Sequence, residues 1–144
     1  MKPLIPFIFC AVSSICLGQK TNNLALDGKV IDHEAHAIVN ASVELIDEDG
    51  KRIWAQKTDR DGSFKVYIDF EHKYELVFSN LGCQSKSLLI NTFGVSCGGQ
   101  EWGYEYGGFN VKLEQSKVPT QTIRVAEIYY DPNIQNFDFR LLQH

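Results

Sequence analysis

The chain has 144 residues, 44% of them apolar and 22% charged, and its formal net charge of −4 is spread without blocks of either sign. That balance excludes a basic footprint, so nucleic acid and anionic membrane are not expected partners. The length suits one domain with a real hydrophobic core and leaves little room for a second.

The N-terminus opens on Lys2 and an apolar run from Leu4 to Leu17, closed by Cys16-Leu17-Gly18 ahead of polar Gln19-Lys20-Thr21. This is the layout of a secretory signal peptide over residues 1–18, with cleavage expected between Gly18 and Gln19. A run of 14 residues carrying Pro6 falls short of the roughly 20 apolar residues that a bilayer-spanning helix needs, so no membrane span is expected in the mature chain. Acylation at Cys16 is the weaker alternative, because bulky Ile15 sits where lipoprotein processing wants a small residue. Cys10 and Cys16 leave with the leader, and the mature chain keeps Cys83 and Cys97. Export would permit a Cys83–Cys97 disulfide, but one pair carries little pattern information, and a bridge and two free thiols stay equally open.

From Leu24 onward the pattern is one of short β-rich runs without helical periodicity. Strands are expected at Leu26–Ile31, Ser42–Ile46, Ile53–Thr58, Ser63–Ile68, Tyr74–Ser79, Lys86–Ile90 and Phe109–Leu113. Asp49-Gly50 and Asp61-Gly62 supply the positive backbone angle that tight hairpin turns require, since glycine lacks the Cβ that would clash there. Alternation sends Val43 and Leu45 one way and Ser42, Glu44 and Ile46 the other, and Phe64, Val66 and Ile68 repeat the pattern. With Val30, Leu76, Phe78, Leu88 and Ile90 they form the expected core. Beyond Asn91, Phe93–Gly108 is rich in glycine and aromatics, and Val118–His144 surrounds a β-prone run, Ile123–Tyr130.

The segments Gly28-Lys29-Val30-Ile31-Asp32, Ile38-Val39-Asn40-Ala41-Ser42-Val43, Thr58-Asp59 with Gly62-Ser63-Phe64, and Tyr74-Glu75-Leu76 together resemble the carboxypeptidase regulatory-like domain. The resemblance covers about Leu26 to Thr92 and implies an all-β fold. That fold would be a single seven-stranded sandwich of transthyretin-like or immunoglobulin-like type, the regulatory-like unit taking residues 24–92 and the first six strands. Residues 93–144 would then supply an aromatic loop, a closing strand and a C-terminal extension. Family members usually carry a Gly-x-Pro turn where this chain has Ala35, His36 and Ala37, so a looser turn is expected there. Trp102-Gly103-Tyr104-Glu105-Tyr106, Phe109–Leu113, Ala126–Pro132 and Phe137-Asp138-Phe139 resemble an extension seen in small exported proteins of Gram-negative envelopes. In the proteins that gave the family its name, the peptidase chemistry belongs to a separate zinc domain, which this chain lacks, so the resemblance implies no activity.

Constellations that carry chemistry have simpler structural explanations. His72-Lys73-Tyr74-Glu75 matches a His-x-x-Glu zinc spacing, but it enters a strand, where positions three apart face opposite sides. Asp32-His33-Glu34 with His36 reads as a solvated turn rather than the two-imidazole helix motif. Asp47-Glu48-Asp49-Gly50 and Asp59-Arg60-Asp61-Gly62 echo the start of a calcium loop and lack its remainder. No nucleophile elbow or phosphate-cradling glycine loop is present. Neither a metal nor another cofactor is expected, and a metal-dependent hydrolase is the least favoured reading.

The expected role is that of a non-enzymatic exported binding or structural accessory, placed in the periplasm, at the outer membrane or outside the cell. Trp102, Tyr104 and Tyr106 alternate with glycine or glutamate and form a row suited to a protein partner or to sugar rings, unless the rings fold back to cover the sandwich. Tyr129 and Tyr130, in the β-prone tail, are further binding candidates, through pairing with an exposed sheet edge of the chain itself or of a partner. An envelope protein is the leading partner and a polysaccharide the alternative.

Overall fold

Apolar and polar residues alternate along most of the segments above, and most of these runs become strands that bury one face, whereas Arg52–Lys57 is exposed apart from half-buried Trp54. The computed structural model describes residues 23–95, 103–118 and 121–143, which form nine strands and no helix. In chain order these are β1 (Asn23–Ile31), β2 (Ser42–Ile46), β3 (Arg52–Lys57), β4 (Ser63–Asp69), β5 (Lys73–Ser79), β6 (Lys86–Asn91), β7 (Tyr104–Lys112), β8 (Ile123–Asp131) and β9 (Asn136–Leu141). The leader expected over residues 1–18, Cys97 of the cysteine pair, and Trp102 lie outside the described residues.

The strands form a sandwich of two unequal sheets, β4-β1-β7 and β3-β2-β5-β6-β8-β9. Hairpin neighbours pair antiparallel, whereas β1 with β7 and β6 with β8 pair parallel across long connections. Register places core residue opposite core residue, as in Leu26 with Val66, Val43 with Phe78 and Leu76 with Leu88. All the residues assigned to the core from alternation are buried, and Leu24, Tyr104, Leu113, Ile128, Tyr130 and Phe137 join them.

Asp32, Asp47 and Asp59 open three turns built on one plan. In each, the aspartate Oδ1 accepts the backbone N–H groups two and four residues on, at 2.9–3.0 Å. The aspartate carbonyl accepts the N–H three residues on, from Ala35, Gly50 or Gly62, at 3.0–3.1 Å. These donors have φ of 65°, 77° and 71°. The first carboxylate of each run that echoes a calcium loop, Asp47 and Asp59, thus serves as a turn acceptor, and Ala35 occupies a site whose geometry suits glycine. Asn40 is also left-handed, at φ 60°, which asparagine tolerates better than most residues. It delivers Ala41 into the core beneath Thr58, whose hydroxyl accepts the Ala41 N–H at 2.9 Å.

There are nine strands rather than seven because the tail is a hairpin. β8 adds to β6, and β9 folds back on β8 with Ile128 opposite Phe139 and Tyr130 opposite Phe137. Its turn contains no glycine: the Asp131 carboxylate accepts the Asn133 N–H at 2.8 Å, and Gln135 takes the left-handed position at φ 52°.

Candidate binding cleft

β7 starts five residues before the expected Phe109, because a bulge lets its glycine pair run inside the strand. Leu26 pairs with Tyr106 and Gly28 with Phe109, leaving Gly107 and Gly108 opposite Asp27 alone. Without the extra residue, positions 106 and 109 would face opposite sides of the sheet. With it, both rings turn inward and meet at 6.0 Å between centroids, and Phe109 packs edge-on against Phe64 at 5.8 Å. Gly28 makes room for this: a Cβ there would stand 2.6 Å from the Phe109 carbonyl oxygen.

The six-stranded sheet overhangs the three-stranded one on both sides, and the two overhangs differ. Toward β3, the residues sharing the inward face of Val43 and Leu45 are Gln56, which is exposed, and Trp54, which packs against the core. Toward β9, the inward face carries Phe137, Phe139 and Leu141, aligned with Tyr130, Ile128 and Ala126. Phe137 is buried, but Phe139 is 51% exposed and Leu141 74% exposed. Between them and the free edge of β7 runs a cleft of about 270 Å³, floored by Leu88, Val111 and Ile128 and walled by Tyr106, Phe109, Phe139 and Leu141. Its polar lining is Asn110, Lys86 and Lys112. Lys86 also lies 3.9 Å from the Glu114 carboxylate. At the other end, burial and then the nearby Asp138 charge push the Tyr106 hydroxyl above its ordinary pKa.

The tyrosines picked out as binding candidates separate by depth. Tyr104 and Tyr106 do stand on one side of their strand, but that side is the interior. Tyr104 is buried against Phe70, Tyr130 and Phe137 at 5.5–5.9 Å, so it closes one end of the core instead of presenting a platform. Burial, then the neighbouring Tyr130 hydroxyl, raises its pKa. Tyr130 is equally buried, and its ring meets Phe137 at 5.6 Å. Tyr106 is half-buried at the cleft wall. Tyr129 lies on the outer face, half-buried beneath the Arg140 guanidinium at 5.0 Å. Arg140 in turn donates to Glu127, with Nε 2.8 Å from the carboxylate. Cys83 is half-buried in the connection between β5 and β6. Phe139 and Leu141 are wall residues beyond the expected candidates, and their alternation with Asp138 and Arg140 is the sequence signal that marks them.

Among the described residues, no three His, Cys, Asp or Glu side chains converge to hold a metal ion. The Glu75 carboxylate accepts hydrogen bonds from Ser87 at 2.7 Å and from Arg124 at 3.2 Å, while His72 packs beside Tyr74. Burial disfavours the charged Glu75, but the bonds from Arg124 and Ser87 and the Arg124 charge outweigh it, so its pKa falls below the ordinary value. In the first turn, the His36 backbone N–H, followed by that of Glu34 and the two nearby imidazoles, lowers the pKa of Asp32 despite partial desolvation.

No family model matches the sequence, and no curated protein matches it significantly. Among solved structures it is similar to the Bacillus anthracis TIE protein, at 18% identity and a TM-score of 0.49, covering 65% of this chain and 17% of that one. It is similar also to the 3-chlorocatechol 1,2-dioxygenase of Rhodococcus opacus 1CP, at 10% identity and a TM-score of 0.49, covering 67% and 61%. A third is the pilus 2b backbone protein of group B streptococcus, at 14% identity and a TM-score of 0.42, covering 65% and 41%. The chain spans less than two thirds of each of these proteins, and the likeness brings no activity or partner with it.

Proposed function

We propose that this protein is an exported, non-enzymatic β-sandwich of the carboxypeptidase regulatory-like type that docks a protein partner in the cell envelope through the cleft between β7 and β9. The observation that carries this reading is the exposure of Phe139 and Leu141 on the inward face of their sheet, where a sandwich ordinarily buries apolar residues. The lining favours it further: apolar walls with two lysines and an asparagine suit the burial of a partner's apolar surface better than acid–base or nucleophilic chemistry.

The test uses point changes on the exposed wall, because deleting the tail would remove Ala126, Ile128, Tyr130 and Phe137 from the core. The tagged protein and its Phe139→Asp, Leu141→Asp double variant are incubated with detergent-solubilised envelope extract. A protein held by the parent and lost by a variant that melts normally supports the cleft as the docking site. The same protein held equally by both refutes it.

A further inference from the structure

We infer, building on that reading, that the partner enters the cleft as an extended strand. It would add to the free edge of β7 as a fourth strand of the small sheet, with an acidic end against Lys86 and Lys112. β7 has β1 as its one strand neighbour among the described residues, so its outer row of backbone N–H and C=O groups faces the cleft without a sheet partner. An added strand would lie about 4.8 Å beyond β7, over β8 and β9 at the usual inter-sheet distance of about 10 Å, where Phe139 and Leu141 are bare. The β3 overhang exposes Gln56 instead, so no comparable demand exists on that side.

Edge and floor together select the class of occupant. The apolar floor takes every second side chain of a strand, while the β7 backbone takes its peptide groups, which an aliphatic ligand does not possess. From Tyr106 to Lys112 the cleft accommodates roughly six residues at about 3.3 Å each. Charge sets the polarity: the charged groups lining the cleft are Lys86 and Lys112, at the end where β7 finishes and β6 begins, whereas Asp138 lies near Tyr106 at the other end. Glu114 offsets part of the Lys86 charge, and Lys112, exposed beside inward-facing Val111, adds its charge at the rim of that end. The chemistry is therefore that of a short extended peptide, apolar at alternate positions, with carboxylates at the lysine end.

A random ten-residue display library selected against the purified protein provides the probe, and one enriched peptide is then synthesised. The inference expects alternating apolar positions with acidic residues toward one end. On binding, slowed amide hydrogen exchange should be confined to β7 and the residues facing it. Leu141→Asp should weaken the peptide roughly thirtyfold, and Lys86→Ala with Lys112→Ala roughly tenfold, with melting behaviour preserved. Selected peptides that leave β7 exchange unchanged, or a selection that enriches none, would overturn strand addition. Neither result touches the docking reading, which stands or falls on the envelope capture with the Phe139 and Leu141 variant.

Discussion

Replacing Thr58 by valine tests the reasoning about the first corner of the sandwich, because the two side chains are nearly isosteric and differ in one hydroxyl. Thr58 is 2% exposed. Its Oγ1 donates to the Ile38 carbonyl at 2.6 Å and accepts the Ala41 N–H at 2.9 Å. The backbone bonds from its N–H to the Ala41 carbonyl and from the Asn40 N–H to its own carbonyl survive the change. Valine therefore removes two hydrogen bonds and leaves a buried donor, the Ala41 N–H, and a part-buried acceptor, the Ile38 carbonyl, unpaired, at about 1–3 kcal/mol each, offset by about 1 kcal/mol for the added apolar group. The net loss is about 1–5 kcal/mol, or a Tm lower by roughly 4–20 °C for a domain of this size. Serine keeps the hydroxyl and deletes a methyl, costing about 1 kcal/mol. Urea unfolding followed by tryptophan fluorescence measures both variants, with an unchanged m-value confirming a comparable denatured state. A Thr58→Val protein within about 0.5 kcal/mol of the parent, or one more stable than Thr58→Ser, would refute the account.

Thr92 performs the same service at the other corner, accepting the His72 N–H at 3.1 Å with its hydroxyl within 2.9 Å of the Asp69 and His72 carbonyls, so Thr92→Val should lose a similar amount in the same assay. Ala35→Gly should stabilise by about 0.5–1 kcal/mol, since relief of left-handed strain exceeds the added chain entropy, and thermal melting should rise by a few degrees. Gly28→Ala forces β7 away from β1 and should cost about 2 kcal/mol or more, with weaker partner capture because Phe109 shifts. The folded pKa of Glu75 lies below its ordinary 4.5, so its contribution is whole above that pH and is lost as pH falls through the lowered folded value. Arg124→Ala should accordingly cost about 1 kcal/mol near neutral pH, and acid titration of stability should show the gap to the parent narrowing below pH 4.5.

The hairpin-connected strands were legible because their turns are written in local chemistry. Asp47 and Asp59 accept the backbone N–H groups, and Gly50 and Gly62 take the left-handed positions. Val43, Phe64 and Phe78 could be assigned to the core because a period of two leaves each strand one buried face. The tail resisted because its turn uses Gln135 for the left-handed position, so β8 and β9 carry no glycine between them. The start of β7 resisted for the opposite reason: Gly107-Gly108 reads as a loop, while in the fold it is a bulge whose pairing with β1 is set by residues about eighty positions away. The depth of Tyr104 and Tyr130 follows from that long-range pairing, which local pattern does not encode. Both the cleft and its exposed wall depend on these late strands.

The parallel pairing of β1 with β7 and of β6 with β8 also fixes an order of events for a chain that emerges N-terminus first. Leu24 acquires its β7 neighbour when Tyr104 appears, and Leu88 acquires Ala126 only later. Loop closure over such separations is slow compared with hairpin zipping, so the antiparallel pairs among β1 to β6 can form before either parallel pairing, which waits for the last third of the chain. A molecule made this way gains both of its parallel pairings, and with them the cleft, only when synthesis is nearly finished.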